Sequence, residues 1–154
     1  LHKYITGHAA PTEHRVPAWD RRNPRTGVLQ EAKLDIRTHD PSTGRPIFVD
    51  LAVTCVHSTY APRRHARAER DGLAAAQMVD DKRGRYPPRE GLDLVPMVFE
   101  TGGRPSDEAV SFVRSYGASL EDADRSELLS RIWRDISRTL QQGNAEMILS
   151  ALGR

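Results

Sequence analysis

The stretch IFVDLAVTCV, residues 47–56, constrains this chain more than any other. It is an apolar run with β-branched residues, long enough for a buried strand and too short for an ordinary helix. The preceding DPSTGRP (40–46) is dense in turn-forming residues. Before it, EAKLDIRTH (31–39) sets Leu34 and Ile36 alternately against Lys33, Asp35 and Arg37. That period of two is the mark of a half-buried strand. Two strands joined by a tight turn are expected to form a hairpin. One residue breaks the pattern: Asp50, a carboxylate inside the core strand. An ionised carboxylate is costly to bury without a partner.

The rest of the chain supplies layers for this hairpin. Residues 1–10 read as a helix end, and TEHRVPAW as a short strand. DRRNPRTG (20–27) has loop composition. Residues 64–83 read as a helix centred on LAAAQMV, ended by Gly84 and the Pro87–Pro88 pair. LDLVPMVFE (92–100) is a further strand, and its Pro96 argues for a sheet edge or bulge. Ser106 is an N-cap, with Asp107 and Glu108 in the first turn and Gly117 as the C-cap. A helix over about 120–141 carries Leu128, Leu129, Ile132, Trp133, Ile136 and Leu140 at helical spacing, and GNAEMILSALG reads as a separate short helix. The expected order is α–β–β–β–α–β–α–α. It implies an α/β fold, a small mixed sheet flanked by helices, in one domain over 1–154 with a helical extension at 120–152. The chain begins without Met, so a truncated N-terminus is expected.

Composition narrows the function classes. Net charge is only +2, but RRNPR (21–25), RRHARAER (63–70) and KRGRYPPR (82–89) concentrate arginine in the first two thirds. Such patches suit a polyanion, and they also suit solvated loops and helix faces. The single Cys55 excludes a disulfide framework within the chain and reads as a small buried core residue. It fits a reducing, intracellular setting. No apolar run approaches a membrane span, so no membrane partner is expected. The six histidines form neither an HxxxH nor an HExxH pair on an expected helix, which argues against a zinc site. Gly102 and Gly103 precede a helix and read as a loop, with a phosphate cradle as the alternative. Trp133 reads as core, and Trp19 as packed unless it stacks on a base.

The hairpin gives Asp50 two possible explanations. Its alternation puts Asp50 on one face with Phe48, Ala52 and Thr54, and Val49, Leu51 and Val53 on the other. A tight turn would bring Asp35 close to Asp50. Two adjacent carboxylates repel unless a proton or cation lies between them. A hard divalent ion such as Mg²⁺ is bound through one or two carboxylates plus phosphate oxygens. The other explanation is an ion-paired carboxylate with no metal.

The ordered set LD (34–35), DLAVT (50–54), KRGRY (82–86), PMVFETGG (96–103) and WRDISRTLQQGNA (133–145) resembles the PD-(D/E)xK nuclease superfamily. The resemblance is to the restriction-like endonuclease domain of non-LTR retrotransposon reverse transcriptase polyproteins, and it covers roughly residues 30–150. It implies a restriction-endonuclease-like core and a Mg²⁺- or Mn²⁺-dependent DNA endonuclease that nicks target DNA to prime reverse transcription. It implies Asp35 and Asp50 as metal ligands. Lys82 becomes the catalytic lysine, reaching in from a helix because Ala52 stands at the usual strand position. Glu13, Tyr86 and Glu100 fall at supporting positions. Arg63, Arg64, Arg83 and Arg85 are expected to meet DNA phosphates, with other polyprotein modules as partners. Localisation would be nuclear in a eukaryotic retroelement. A catalytically inactive remnant that binds nucleic acid or protein is the alternative. A helical interaction module built on 120–152 is a third reading.

Overall fold

The computed structural model describes residues 13–40, 42–56, 69–116, 118 and 122–153. The expected helix at 1–10, the cations Arg63 and Arg64, and the C-cap Gly117 lie outside the described residues. The elements in chain order are β1 (His14–Arg15), a 3₁₀ turn (Pro17–Trp19), β2 (Arg21–Arg22), β3 (Leu29–Gln30), β4 (Lys33–Leu34), β5 (Ile36–His39), β6 (Pro46–Thr54), α1 (Leu73–Arg85), β7 (Asp93–Glu100), α2 (Asp107–Tyr116) and α3 (Asp122–Ala151).

The fold is mixed α/β, and its centre is a three-stranded sheet in the order β5–β6–β7. The hairpin forms as expected: β5 pairs antiparallel with β6, from Ile36 opposite Val49 to His39 opposite Pro46. Its turn is organised by Asp40. The backbone N–H groups of Ser42 and Thr43 each donate to Asp40 Oδ1 at 2.8 Å, and the Ser42 hydroxyl donates at 2.5 Å. These bonds, the Ser42 hydroxyl first, hold the Asp40 carboxyl at a pKa of about 2. The folded value lies below the ordinary one. The turn's stabilisation is therefore complete above the usual carboxylate range and is lost as pH falls toward 2. An NMR pH titration is expected to show this midpoint for Asp40, and Ser42→Ala to move it upward. A midpoint near 4 in the unaltered chain would contradict the turn geometry.

β6 and β7 run parallel, with Asp50 opposite Pro96 and Thr54 opposite Glu100. A parallel pair needs a crossover, and α1 lies within it. Pro96 is tolerated because β7 is an edge strand. Smaller pairs, β1 with β4 and β2 with β3, carry the residues before the hairpin.

The strand alternation sorts the core into two faces. Ile36, Ile47, Val49, Met97 and Phe99 meet Ala109, Phe112 and Val113 of α2 and Ile132 of α3. Leu128, Leu129, Trp133, Ile136 and Leu140 pack against the same cluster, so the apolar stripe of α3 faces the sheet. On the opposite face, Val98 meets Ala75 and Val79 of α1, with Ala52 beside them. Phe48 on that face joins Val16, Trp19, Leu34 and Tyr86. Helices thus cover both sheet faces, a three-layer arrangement. Ser106 caps α2, its Oγ accepting the Ala109 N–H at 3.2 Å. Such a cap contributes about 1 kcal/mol.

Five expectations need correction. The helix expected over 64–83 is interrupted by a turn at 70–72, starts at Leu73 and runs through Gly84 to Arg85. The strand expected over 31–39 is broken: the chain bends at Asp35, between β4 and β5. The loop expected over 20–27 begins with β2, which returns to β3. The two C-terminal helices are one, because α3 continues through Gly143 to Ala151. An interior glycine costs a helix only about 1 kcal/mol, and Asn144 Nδ2 donates to Thr101 O at 2.7 Å just beyond it. Cys55 is exposed, not buried. Among the described residues, pairing with β5 stops at Val49 and no other strand pairs with the far end of β6 on that side, and Leu51 and Val53 are exposed too. None of the described helices is long and apolar enough to cross a membrane.

Candidate active site

α1 shows why a lysine reaches the sheet. Ala75 and Val79 are buried against Val98, four residues apart on one stripe. Lys82 and Tyr86 continue that stripe at helical spacing. Tyr86 is buried. A lysine on an inward stripe needs a counter-charge, and Asp50 provides it. Lys82 Nζ lies 2.7 Å from Asp50 Oδ2, with side chains 18% and 8% exposed. Asp50 Oδ2 nevertheless has no directed hydrogen bond. The contact is a close ion pair.

Asp35 arrives from the other strand. The β5–β6 pairing ends at Ile36–Val49, and Asp35 sits at the bend just beyond it. At the bend, the Asp35 N–H donates to Val49 O at 3.0 Å. Its carboxylate Oδ2 accepts the Leu51 N–H at 2.6 Å. The carboxylate thereby replaces a strand hydrogen bond and is oriented by the β6 backbone. Burial pushes the Asp50 carboxyl above its usual range; the Lys82 ammonium pulls it back, Asp35 adds a like-charge push, and Arg85 opposes that push weakly. Asp35, Asp50 and Lys82, widely separated in sequence, therefore share one electrostatic site.

The supporting positions divide. Tyr86 belongs to the wall of the site, with its ring 5.6 Å from that of Trp19. Burial first, then the Asp50 charge, raises its hydroxyl pKa. Arg85 lies over the Tyr86 ring at 5.3 Å. Arg83 turns the other way and pairs with Glu108 of α2 at 2.9 Å. Glu13 is exposed and pairs with Lys33 at 3.3 Å. Glu100 is buried, and its Oε1 accepts the Ala75 N–H at 3.3 Å in the first turn of α1. It stands opposite Thr54, four residues beyond Asp50. At the strand rise that is about 13 Å away, so Glu100 caps a helix and does not join the Asp50 cluster. Trp19 is packed: its ring meets Phe48 edge-on at 5.9 Å, and its Nε1 donates to Pro87 O at 2.8 Å.

Two cations near the site were not singled out from the sequence. Arg37 is opposite Phe48, and its guanidinium lies 5.9 Å from that ring's centre, on the face that carries Asp50. Arg21 acts on Tyr86 through its charge. For Arg37 the available signal was the hairpin pairing, which sets it opposite Phe48, two residues before Asp50.

The fold and site together define an α/β protein with a carboxylate–carboxylate–lysine cluster on one sheet face. Comparisons of the chain with protein-family models, curated proteins and solved structures return no match.

Proposed function

We propose that this chain is a divalent-metal-dependent DNA endonuclease with a restriction-endonuclease-like core, the nicking module of a retrotransposon polyprotein. The observation that carries this reading is the meeting of Asp35, Asp50 and Lys82 at one place, from two strands and a crossover helix. The donor chemistry fits Mg²⁺ or Mn²⁺: two carboxylates supply hard oxygen, and Asp50 Oδ2 is buried without a directed hydrogen bond. Among the described residues no group of three or more His, Cys, Asp and Glu side chains is placed to hold a metal. A two-carboxylate site leaves positions for water and phosphate oxygens, as Mg²⁺ sites commonly do.

Asp35 and Asp50 would hold the ion, which when bound supplies polarisation of the phosphodiester and activation of water. The protein's own groups do the rest. The Leu51 N–H fixes the Asp35 carboxylate. Lys82 offers its ammonium to the charge that builds on the phosphate. Arg85, Arg37 and Arg21 give the duplex backbone positive charge around the same face. A supercoiled plasmid incubated with the protein and Mg²⁺ or Mn²⁺ tests the activity. Conversion to the open circle is expected, with DNA retention that weakens as salt rises.

A second reading is favoured by the direct Lys82–Asp50 pair, which neutralises Asp50 without any metal. On that reading the chain is an inactive remnant that binds nucleic acid or protein. Retention of DNA without cation-dependent nicking would select it.

A further inference from the structure

We infer that the Lys82 ammonium and a divalent cation compete for Asp50, so that loading the cation displaces Lys82 and frees its charge for the substrate. The inference rests on the metal-binding reading above and concerns what the lysine does before the cation arrives.

The geometry leads there directly. Lys82 Nζ lies 2.7 Å from Asp50 Oδ2, close enough to occupy one of the directions from which a cation would reach that oxygen. The other carboxylate oxygen in the cluster that the structure accounts for, Asp35 Oδ2, is taken by the Leu51 N–H. The close ion pair with Lys82 is the contact the structure shows at Asp50 Oδ2. Lys82 is the more exposed partner, 18% against 8%, and its four-carbon stem lets the head swing while α1 stays packed through Ala75 and Val79. Asp50 cannot follow, because it sits within the paired part of β6. The groups facing the pair from neighbouring elements are Asp35, Arg85 and Tyr86. An ammonium freed from Asp50 therefore stays beside the cation and is available to a bound phosphate.

The arrangement has a functional consequence. Without the cation, Asp50 is neutralised internally and the fold is spared a buried unpaired charge. With it, the same lysine becomes an anion-binding group.

The test uses the full chain and metal alone. Mn²⁺ binding is measured by electron paramagnetic resonance of the free ion, for the unaltered protein, Lys82→Met and Asp50→Asn. A single nearby charge alters a carboxylate's affinity for a cation by about tenfold or more. Lys82→Met is therefore expected to bind Mn²⁺ at least about tenfold more tightly than the unaltered chain, and Asp50→Asn to lose binding. A second measurement needs no variant: adding Mg²⁺ to the unaltered protein is expected to shift the Lys82 side-chain NMR resonances to those of a solvated ammonium. Equal or weaker Mn²⁺ binding by Lys82→Met, with Asp50→Asn still defective, overturns the competition and leaves the metal site standing. Unchanged Lys82 resonances under saturating Mg²⁺ do the same. Absence of cation binding in all three proteins overturns both.

Discussion

Asp50→Asn is expected to abolish cation-dependent plasmid nicking while leaving the fold intact. The substitution keeps size and one oxygen but removes the charge. Residues that merely support a metal ligand already cost about 10- to 100-fold when removed, so loss of a direct ligand is expected to exceed 100-fold. Stability should fall modestly, because Lys82 loses its counter-charge. Burial holds the Asp50 carboxyl above its ordinary pKa, so the ionised form is already disfavoured by its surroundings. Lys82, partly exposed, can turn its head to water. The measurement pairs a nicking time course with a thermal melt. Nicking that persists in folded Asp50→Asn would remove Asp50 from catalysis and point to a contaminating nuclease.

Trp19→Ala is expected to be the most destabilising single change in the N-terminal half. The indole is 3% exposed. It contacts Phe48 of β6 and Tyr86 beyond α1, and hydrogen-bonds Pro87 O. Large-to-small replacement of a buried Trp costs about 3–5 kcal/mol. At about 2–4 °C per kcal/mol for a chain of this size, the melting temperature should fall by roughly 6–20 °C. Trp19 also anchors the end of the helix that carries Lys82, so residual nicking in the cold should fall with it. Because the ring is packed, DNA should not quench its fluorescence in a Trp133→Phe background. A drop smaller than about 1 kcal/mol would mean that Trp19 is not the clamp described.

The hairpin was legible because its signal is local. Period-two alternation assigned the face of Asp50, and turn chemistry at Asp40 closed the hairpin that brings the Asp35 carboxylate to the β6 backbone. The Ser106 cap was legible for the same reason. Continuity of α3 was not, since Gly143 is a weak breaker and the Asn144 bond to Thr101 that holds the chain just beyond it is a long-range contact. The exposure of Cys55 was hidden too. An apolar strand reads as buried along its whole length, and only the pairing shows that β5 ends early.

By itself, then, the sequence determined the hairpin, the β7 strand and the face that Asp50 occupies, and a resemblance pointed to Lys82 as a helix-borne lysine. Tertiary structure alone decided that this lysine meets Asp50. Their contact depends on how a crossover helix lies across a parallel strand pair, and no periodicity within either element encodes that placement.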